Sequence, residues 1–308
     1  MRRSAGSLAR GAARGAGAVP ALPSPSDSLP EFLEALYRRH HRLENLAPDP
    51  LVFPRRFRAA REGELAGLIA ACLAYGQVAQ IMAALEGVFA LLTPSPRRFL
   101  EGASPADLVA STAGFSYRFH KGSDLALFLH LLRQLLDRHG DVLGAFRAGD
   151  PGGPIGPALS SFADALLAGD PRPLLPSRSI PASHPVRHLV ASPAAGGPAK
   201  RLCLYLRWMV RRDALDPGFW HGAVDPARLV VPLDTHVARA GRELGLTARR
   251  AADWKTACEI TQALLRCDPA DPVRFDFSLF RFGMGGPPRT NAGRARRPGG
   301  GSWGLPRA

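Results

Sequence analysis

Several things are scarce in this sequence, and each shortage removes a class of protein. No apolar run is long enough to cross a bilayer: the longest, residues 65–75, falls well short of the roughly 20 residues a spanning helix needs. Residues 1–27 are rich in Arg, Ala, Gly and Pro and have no apolar h-region, so they read as a disordered extension or an upstream mis-start and not as a secretory signal. A transit-like peptide is the other reading of this stretch. The four cysteines, Cys72, Cys203, Cys258 and Cys267, form no C-x-x-C pair and are expected as buried free thiols. That pattern points to a reducing, cytoplasmic setting. His184 and His188 flank a proline with no carboxylate or cysteine set nearby, so no metal site is expected. Internal repeats, a P-loop and sustained strand alternation are all missing.

What is present is globular and basic. The 308 residues, 46% of them hydrophobic, suffice for one large or two modest domains with a real core. The formal net charge is +14; the ends, residues 1–28 and 285–308, account for +3 and +5, which leaves +6 for the body. A basic body suits a polyanion such as nucleic acid, although the heavy Ala/Arg/Gly/Pro usage also fits a biased genome.

The chain reads as about a dozen helices, hence all-α. Ser28-Leu29-Pro30-Glu31 predicts a capping box opening a helix through about Asn45. Apolar stripes predict helices over residues 62–75, 78–92 and 157–167, one that Ser123 caps and Gly140 ends, and one from Thr247 to Arg266. Ser104-Pro105 starts a short helix, and D-P-A-D-P-V opens the last one, on which Asp271 and Asp276 are candidates to line a pocket, although capping and solvation also account for them. Residues 169–198 form a long irregular approach to Lys200. Tyr117, Arg118, Phe119 and Lys121 form an aromatic and basic cluster suited to stacking and phosphate contact, while Phe115 and Phe119 serve equally well as core anchors.

The stretch organising the rest runs from Pro198 to Arg239. Residues Leu202, Tyr205, Leu206, Met209 and Val210 recur at helical spacing, with Lys200 near the helix start and Pro198 suited to its first turn. The positive end of the helix dipole and neighbouring Arg201 disfavour the ammonium, which favours a nucleophilic amine. A solvated or phosphate-holding lysine is the plain alternative. Asp234, ahead of T-H-V-A-R, is an N-cap that can also be held rigid for electrostatic work.

K-R-L-C-L-Y-L-R-W-M-V-R with D-P-G-F-W and V-P-L-D-T-H-V resembles a bacterial family of hypothetical proteins known mainly as a domain of unknown function. More distantly, the lysine at a helix start followed by V-P-x-D-T-H is similar to the helix-hairpin-helix DNA glycosylases. The separation of 34 residues between Lys200 and Asp234 is nearer to the archaeal 8-oxoguanine glycosylases than to endonuclease III-like members. G-G-P-A-K departs from the L-P-G-x-G-x-K spacing of that family's hairpin.

The resemblance implies a two-lobed glycosylase-like fold over residues 29–284, with a cleft between lobes and disordered basic ends, residues 1–28 and 285–308. The N-terminal and C-terminal helices would share one lobe. It makes Lys200 the nucleophile and Asp234 the catalytic aspartate of a base-excision enzyme, with an oxidised purine as one candidate lesion and with strand nicking. It nominates Gln77, in L-A-Y-G-Q, to fill the hole left by a flipped base. Gly196, Gly197, Arg201, Arg207 and His236, with Tyr117 and Arg118, are candidates for the nucleic-acid face. No iron–sulfur cysteine pattern matches, so no cofactor is expected. A monomer on duplex DNA in the cytoplasm is expected. The alternatives are a non-catalytic DNA-binding module of the same fold, and an enzyme of that fold acting on RNA or another N-glycoside.

Overall fold

The computed structural model describes residues 28–285. The expected disordered ends lie outside these, apart from Ser28 and Gly285. Among the described residues the chain folds into thirteen α-helices and one small hairpin. In order these are α1 Leu29–His40, α2 Ala60–Leu73, α3 Val78–Leu91, α4 Pro96–Gly102, α5 Pro105–Thr112, β1 Ser116–Tyr117, β2 His120–Lys121 and α6 Gly122–His139. There follow α7 Val142–Ala148, α8 Ile155–Leu167, α9 Val186–Leu189, α10 Lys200–Val210, α11 Thr235–Glu243, α12 Trp254–Leu265 and α13 Asp276–Gly285.

Helix ends follow local chemistry. Glu31 reaches back to the backbone N–H of Ser28 at 3.0 Å, and Asp107 does the same for Ser104 at 2.9 Å. Three differences from the sequence reading are instructive. The backbone N–H that Asp124 accepts is that of Lys121, so α6 starts a residue before Ser123. The helix expected from Thr247 begins at Trp254, because Asp253 accepts Thr256 N–H at 2.8 Å and caps it there. Ser116 to Lys121, read without strands, closes as an antiparallel hairpin with Tyr117 opposite His120 and only Arg118 and Phe119 at its tip.

The buried apolar residues form two clusters. The larger is built by the middle helices α2 to α8 and by α10. Its central rod is α2, buried from Gly63 to Leu73. Gly63 lets Phe219 lie against it, since a Cβ there would fall 2.1 Å from the Phe219 ring. Glu64, 3% exposed, is tolerated because it accepts the free N–H groups of Val142 and Leu143 at the start of α7, both at 3.0 Å, and Trp220 Nε1 at 2.7 Å. Burial pushes its carboxyl up, and these bonds pull it back. The smaller cluster packs α1 against α11, α12 and α13 through Leu33, Leu36, Val237, Ile260 and Leu279.

Buried charge joins the two clusters. Arg207 of α10 pairs with Asp216 at 3.1 Å and with Asp276 of α13 at 2.6 Å. Arg211, one turn on, pairs with Asp213, Asp216 and Asp271. Burial works against both guanidinium charges, but the surrounding aspartates outweigh it and hold both above the ordinary arginine range. Such pairs are worth little net against an apolar core, yet removing one partner is expensive. Among the described residues no single helix is long and apolar enough to cross a membrane; α3 and α4 together have the length and composition but meet at a bend of 52°.

Candidate active site

Lys200 is the first residue of α10, on the larger core, and Asp234 is the cap of α11, on the smaller. Their side chains meet: Lys200 Nζ lies 3.2 Å from Asp234 Oδ2, with the lysine side chain 34% exposed and the aspartate 15%. The other carboxylate oxygen, Oδ1, accepts the backbone N–H groups of His236 and Val237, each at 2.9 Å. One carboxylate therefore caps a helix with one oxygen and faces an amine with the other. Capping fixes its position, and the lysine side chain facing it stays about one-third exposed.

The turn ahead of Lys200 has its own geometry. Pro193–Ala195 form a single tight turn, Gly196 takes φ +81°, and Ala199 is left-handed at φ 46° and ψ 31°. An L-residue there costs about 1–2 kcal/mol, so tertiary packing must hold it. Pro198, expected in the first helical turn, stays outside it. Open space surrounds both Gly196 and Gly197, and Gly196 O accepts the Trp254 N–H at 3.2 Å, tying the turn to α12.

Asp276, the first residue of α13, is 3% exposed. Its Oδ2 accepts Arg207 Nη1–H at 2.6 Å, and its Oδ1 is buried with no hydrogen-bond partner among the described residues. Burial pushes this carboxyl up to about 6, with the charge of Asp234 acting in the same direction and those of Arg207 and Lys200 against it.

The remaining nominated residues divide. Gln77 is exposed, and its side chain makes no cap bond although it sits at the N-cap of α3. Arg118 is exposed at the hairpin tip, at φ 54°, and packs across Gly76 beside Gln77. His236 lies edge-on to Phe280 with centroids 5.3 Å apart. Three candidates are not available to a ligand. Arg207 is sealed in its aspartate network. Arg201 is buried over the Tyr75 ring at 5.2 Å, donating to the His188 Nδ1 at 3.1 Å and to the His188 carbonyl. Tyr117 is buried and its hydroxyl donates to the Tyr75 carbonyl. Phe119, which the sequence offers both as a stacking residue and as a core anchor, is 51% exposed, its ring tilted against His120 and edge-on to His188. The reason is the hairpin: alternate residues face opposite sides, so Tyr117 turns in and the tip residues turn out.

Two cavities open elsewhere. One of about 350 Å³ lies between residues 153–157, 227–230 and α12, and one of about 710 Å³ is bordered by Gln80, Ala83, Ala84 and the hairpin tip. Neither includes Lys200 or Asp234. Among the described residues no group of His, Cys, Asp and Glu is placed to hold a metal. A further signal lay in the composition: the chain has three lysines, Lys121, Lys200 and Lys255, among 40 basic residues. Arginine is the default cation of this chain, and Lys200 departs from that usage.

A family model described as "Protein of unknown function (DUF2400)" matches residues 49–285. Neither a curated protein nor a solved structure matches the chain.

Proposed function

The chain belongs to the DUF2400 family of proteins of unknown function, and we propose that it is a DNA base-excision glycosylase with lyase activity, on a two-lobed helix-hairpin-helix glycosylase-like fold. The observation that carries this reading is the 3.2 Å contact between Lys200 Nζ and an Asp234 carboxylate already anchored by two backbone N–H groups. In the proposed reaction the Lys200 amine attacks C1′ of the damaged nucleotide. The C1′–N bond breaks and the base departs with the bonding pair, taking up a proton. Asp234 stabilises the positive charge that develops on the sugar. Ring opening then gives a Schiff base to Lys200, loss of a C2′ proton expels the 3′ phosphate, and water releases the product.

Duplex DNA is the proposed partner, with an oxidised purine as the proposed lesion. A glycosylase takes its target out of the stack at a cost of a few kcal/mol, so it needs groups that enter the duplex. The exposed Gln77, Arg118 and Phe119 supply an amide, a cation and an aromatic ring side by side. The open turn at Gly196 and Gly197 offers close approach of backbone to phosphate. The body's net positive charge supports the same partner.

The test is incubation of the purified chain with a panel of duplexes, each carrying one damaged base, scored for abasic product and strand cleavage. Excision of at least one base with nicking is the expected result. Binding without excision of any would replace this reading by a non-catalytic DNA-binding module.

A further inference from the structure

The hairpin tip is braced more firmly than an exposed turn requires. Phe119 is 51% exposed, yet its ring lies tilted against His120, with centroids 4.5 Å apart, and against Tyr75 at 6.0 Å. His120, which supports it, is buried with both ring nitrogens engaged. The Pro185 carbonyl can only accept, so Nε2 carries the hydrogen donated to it at 2.9 Å, and Nδ1 accepts from the Tyr75 hydroxyl at 2.5 Å. The Tyr117 hydroxyl in turn donates to the Tyr75 carbonyl. An apolar ring is thus held on a fixed support and presented to water.

Beside it, Arg118 takes φ 54°, a conformation that costs an L-residue about 1–2 kcal/mol. Its side chain lies across Gly76, 3.1 Å from where a Cβ would stand. The guanidinium makes no hydrogen bond or ion pair among the described residues, and residues 74–85 and 113–123 contain no Asp or Glu to offer one. The cavity of about 710 Å³ opens at this place, bordered by Ser116, Tyr117, Arg118 and Phe119 and, on α3, by Gln80, Ala83 and Ala84. It takes in neither His120 nor Tyr75, so the unsupported side of the Phe119 ring faces it. The two alanines leave room next to the ring. Gln80 is exposed, and its amide has no partner among the described residues.

A braced aromatic ring, an unpaired cation and a free amide around one open cavity match the three parts of a nucleotide. A base offers a π-face to the ring and donors and acceptors to the amide, while its phosphate answers the guanidinium. A base stacked in a duplex has no free face, so the occupant is unpaired. We propose that this cavity binds an unpaired nucleotide of a DNA strand, with the base on Phe119, its edge on Gln80 and its phosphate on Arg118. Neither Lys200 nor Asp234 lines it, so the site holds a strand without taking part in the chemistry. The proposal rests on the reading of DNA as the partner and is independent of what Lys200 does.

The test is fluorescence anisotropy of the full-length chain with two labelled single strands of equal length and charge, an oligothymidine and its fully abasic counterpart. The native chain should bind the base-bearing strand about tenfold more tightly, the worth of one stacked base. Phe119→Ala should abolish this preference and leave the abasic affinity unchanged. Phe119→Trp should keep the preference, which separates stacking from packing on His120. Gln80→Ala should weaken the base-bearing strand alone. Arg118→Ala should weaken both strands alike and flatten the slope of log K against log salt by about 0.7, one phosphate of a single strand. Equal native affinity for the two strands, binding to neither, a preference that survives Phe119→Ala, or its loss in Phe119→Trp as well overturns the proposal. Base excision by a chain without the preference leaves the excision reading standing and removes this site; the preference in a chain that excises nothing does the reverse.

Discussion

Gly283 of α13 lies so close to His236 of α11 that a Cβ on it would fall 2.2 Å from the His236 carbonyl oxygen. The obstacle is backbone, which cannot swing aside as a side chain would. This contact sets how near α13, and with it Asp276, comes to the helix that carries Asp234. Gly283→Ala should therefore push the two helices apart and cost about 1–3 kcal/mol, the range for overpacking a tight contact. Urea unfolding would show it as a lowered midpoint with an unchanged slope; an unchanged midpoint would mean that the helices do not pack this closely.

Asp216 is fully buried and accepts from both Arg207 and Arg211. Asp216→Asn leaves two buried guanidinium groups short of a counter-charge, with an expected loss of about 3 kcal/mol or more. Surface pairs such as Arg42–Glu44, at 3.5 Å, should be worth well under about 1 kcal/mol by comparison. Equal effects from Asp216→Asn and Glu44→Gln would refute the structural role given to the buried network.

His188 predicts a pH dependence with a definite sign. Burial, then the neighbouring Arg201 charge, pushes its imidazole down from 6.5 to about 4. The unfolded chain takes up this proton first, so stability is lost as pH falls from 6.5 toward 4. Asp276 works in the opposite direction. Its folded value of about 6 lies above the ordinary 3.8, so its contribution is present at low pH and lost as pH rises through about 6. His188→Asn keeps a side-chain acceptor and does not titrate. It should lose less stability than the native chain on acidification across the window from 6.5 to 4, and parallel urea midpoints for the two proteins would contradict this.

Much of the helical framework is legible in the sequence because it is local. Ser28 with Glu31 and Ser104 with Asp107 lie three residues apart, and apolar periodicity places most helices within a few residues of where they form. Lys200 and Asp234 are legible because each carries a helix-start signature. The burial of Arg207 and Arg211 is not. Arg207 is nominated for the nucleic-acid face, yet it pairs with Asp276, 69 residues away, and Arg211 pairs with Asp271, 60 residues away. No window along the chain contains those partners. The burial of Tyr117 has a similar origin, since strands of two residues leave no alternation to detect. Ala199 illustrates a third kind of omission, because alanine gives no hint of a left-handed backbone.

Asp234→Asn separates the two jobs of that carboxylate. Asparagine caps about as well as aspartate, so α11 and the overall stability should hold to within a few tenths of a kcal/mol. The negative charge facing Lys200 at 3.2 Å is lost, and base excision should fall by at least about a hundredfold. A variant that folds and works normally would leave Asp234 as a cap and nothing more.

The most direct measurement is borohydride trapping during turnover on a duplex that the native chain cleaves. A lysine that forms a Schiff base with the sugar is reduced to a stable amine, which gives a covalent protein–DNA adduct. Glutamine cannot form an imine, so Lys200→Gln should bind the duplex as the native chain does and yield no adduct. The native chain should yield one, with the DNA fragment on the peptide containing Lys200. An adduct from the Lys200→Gln protein, or none from a native chain that excises the base, would contradict the role assigned to Lys200.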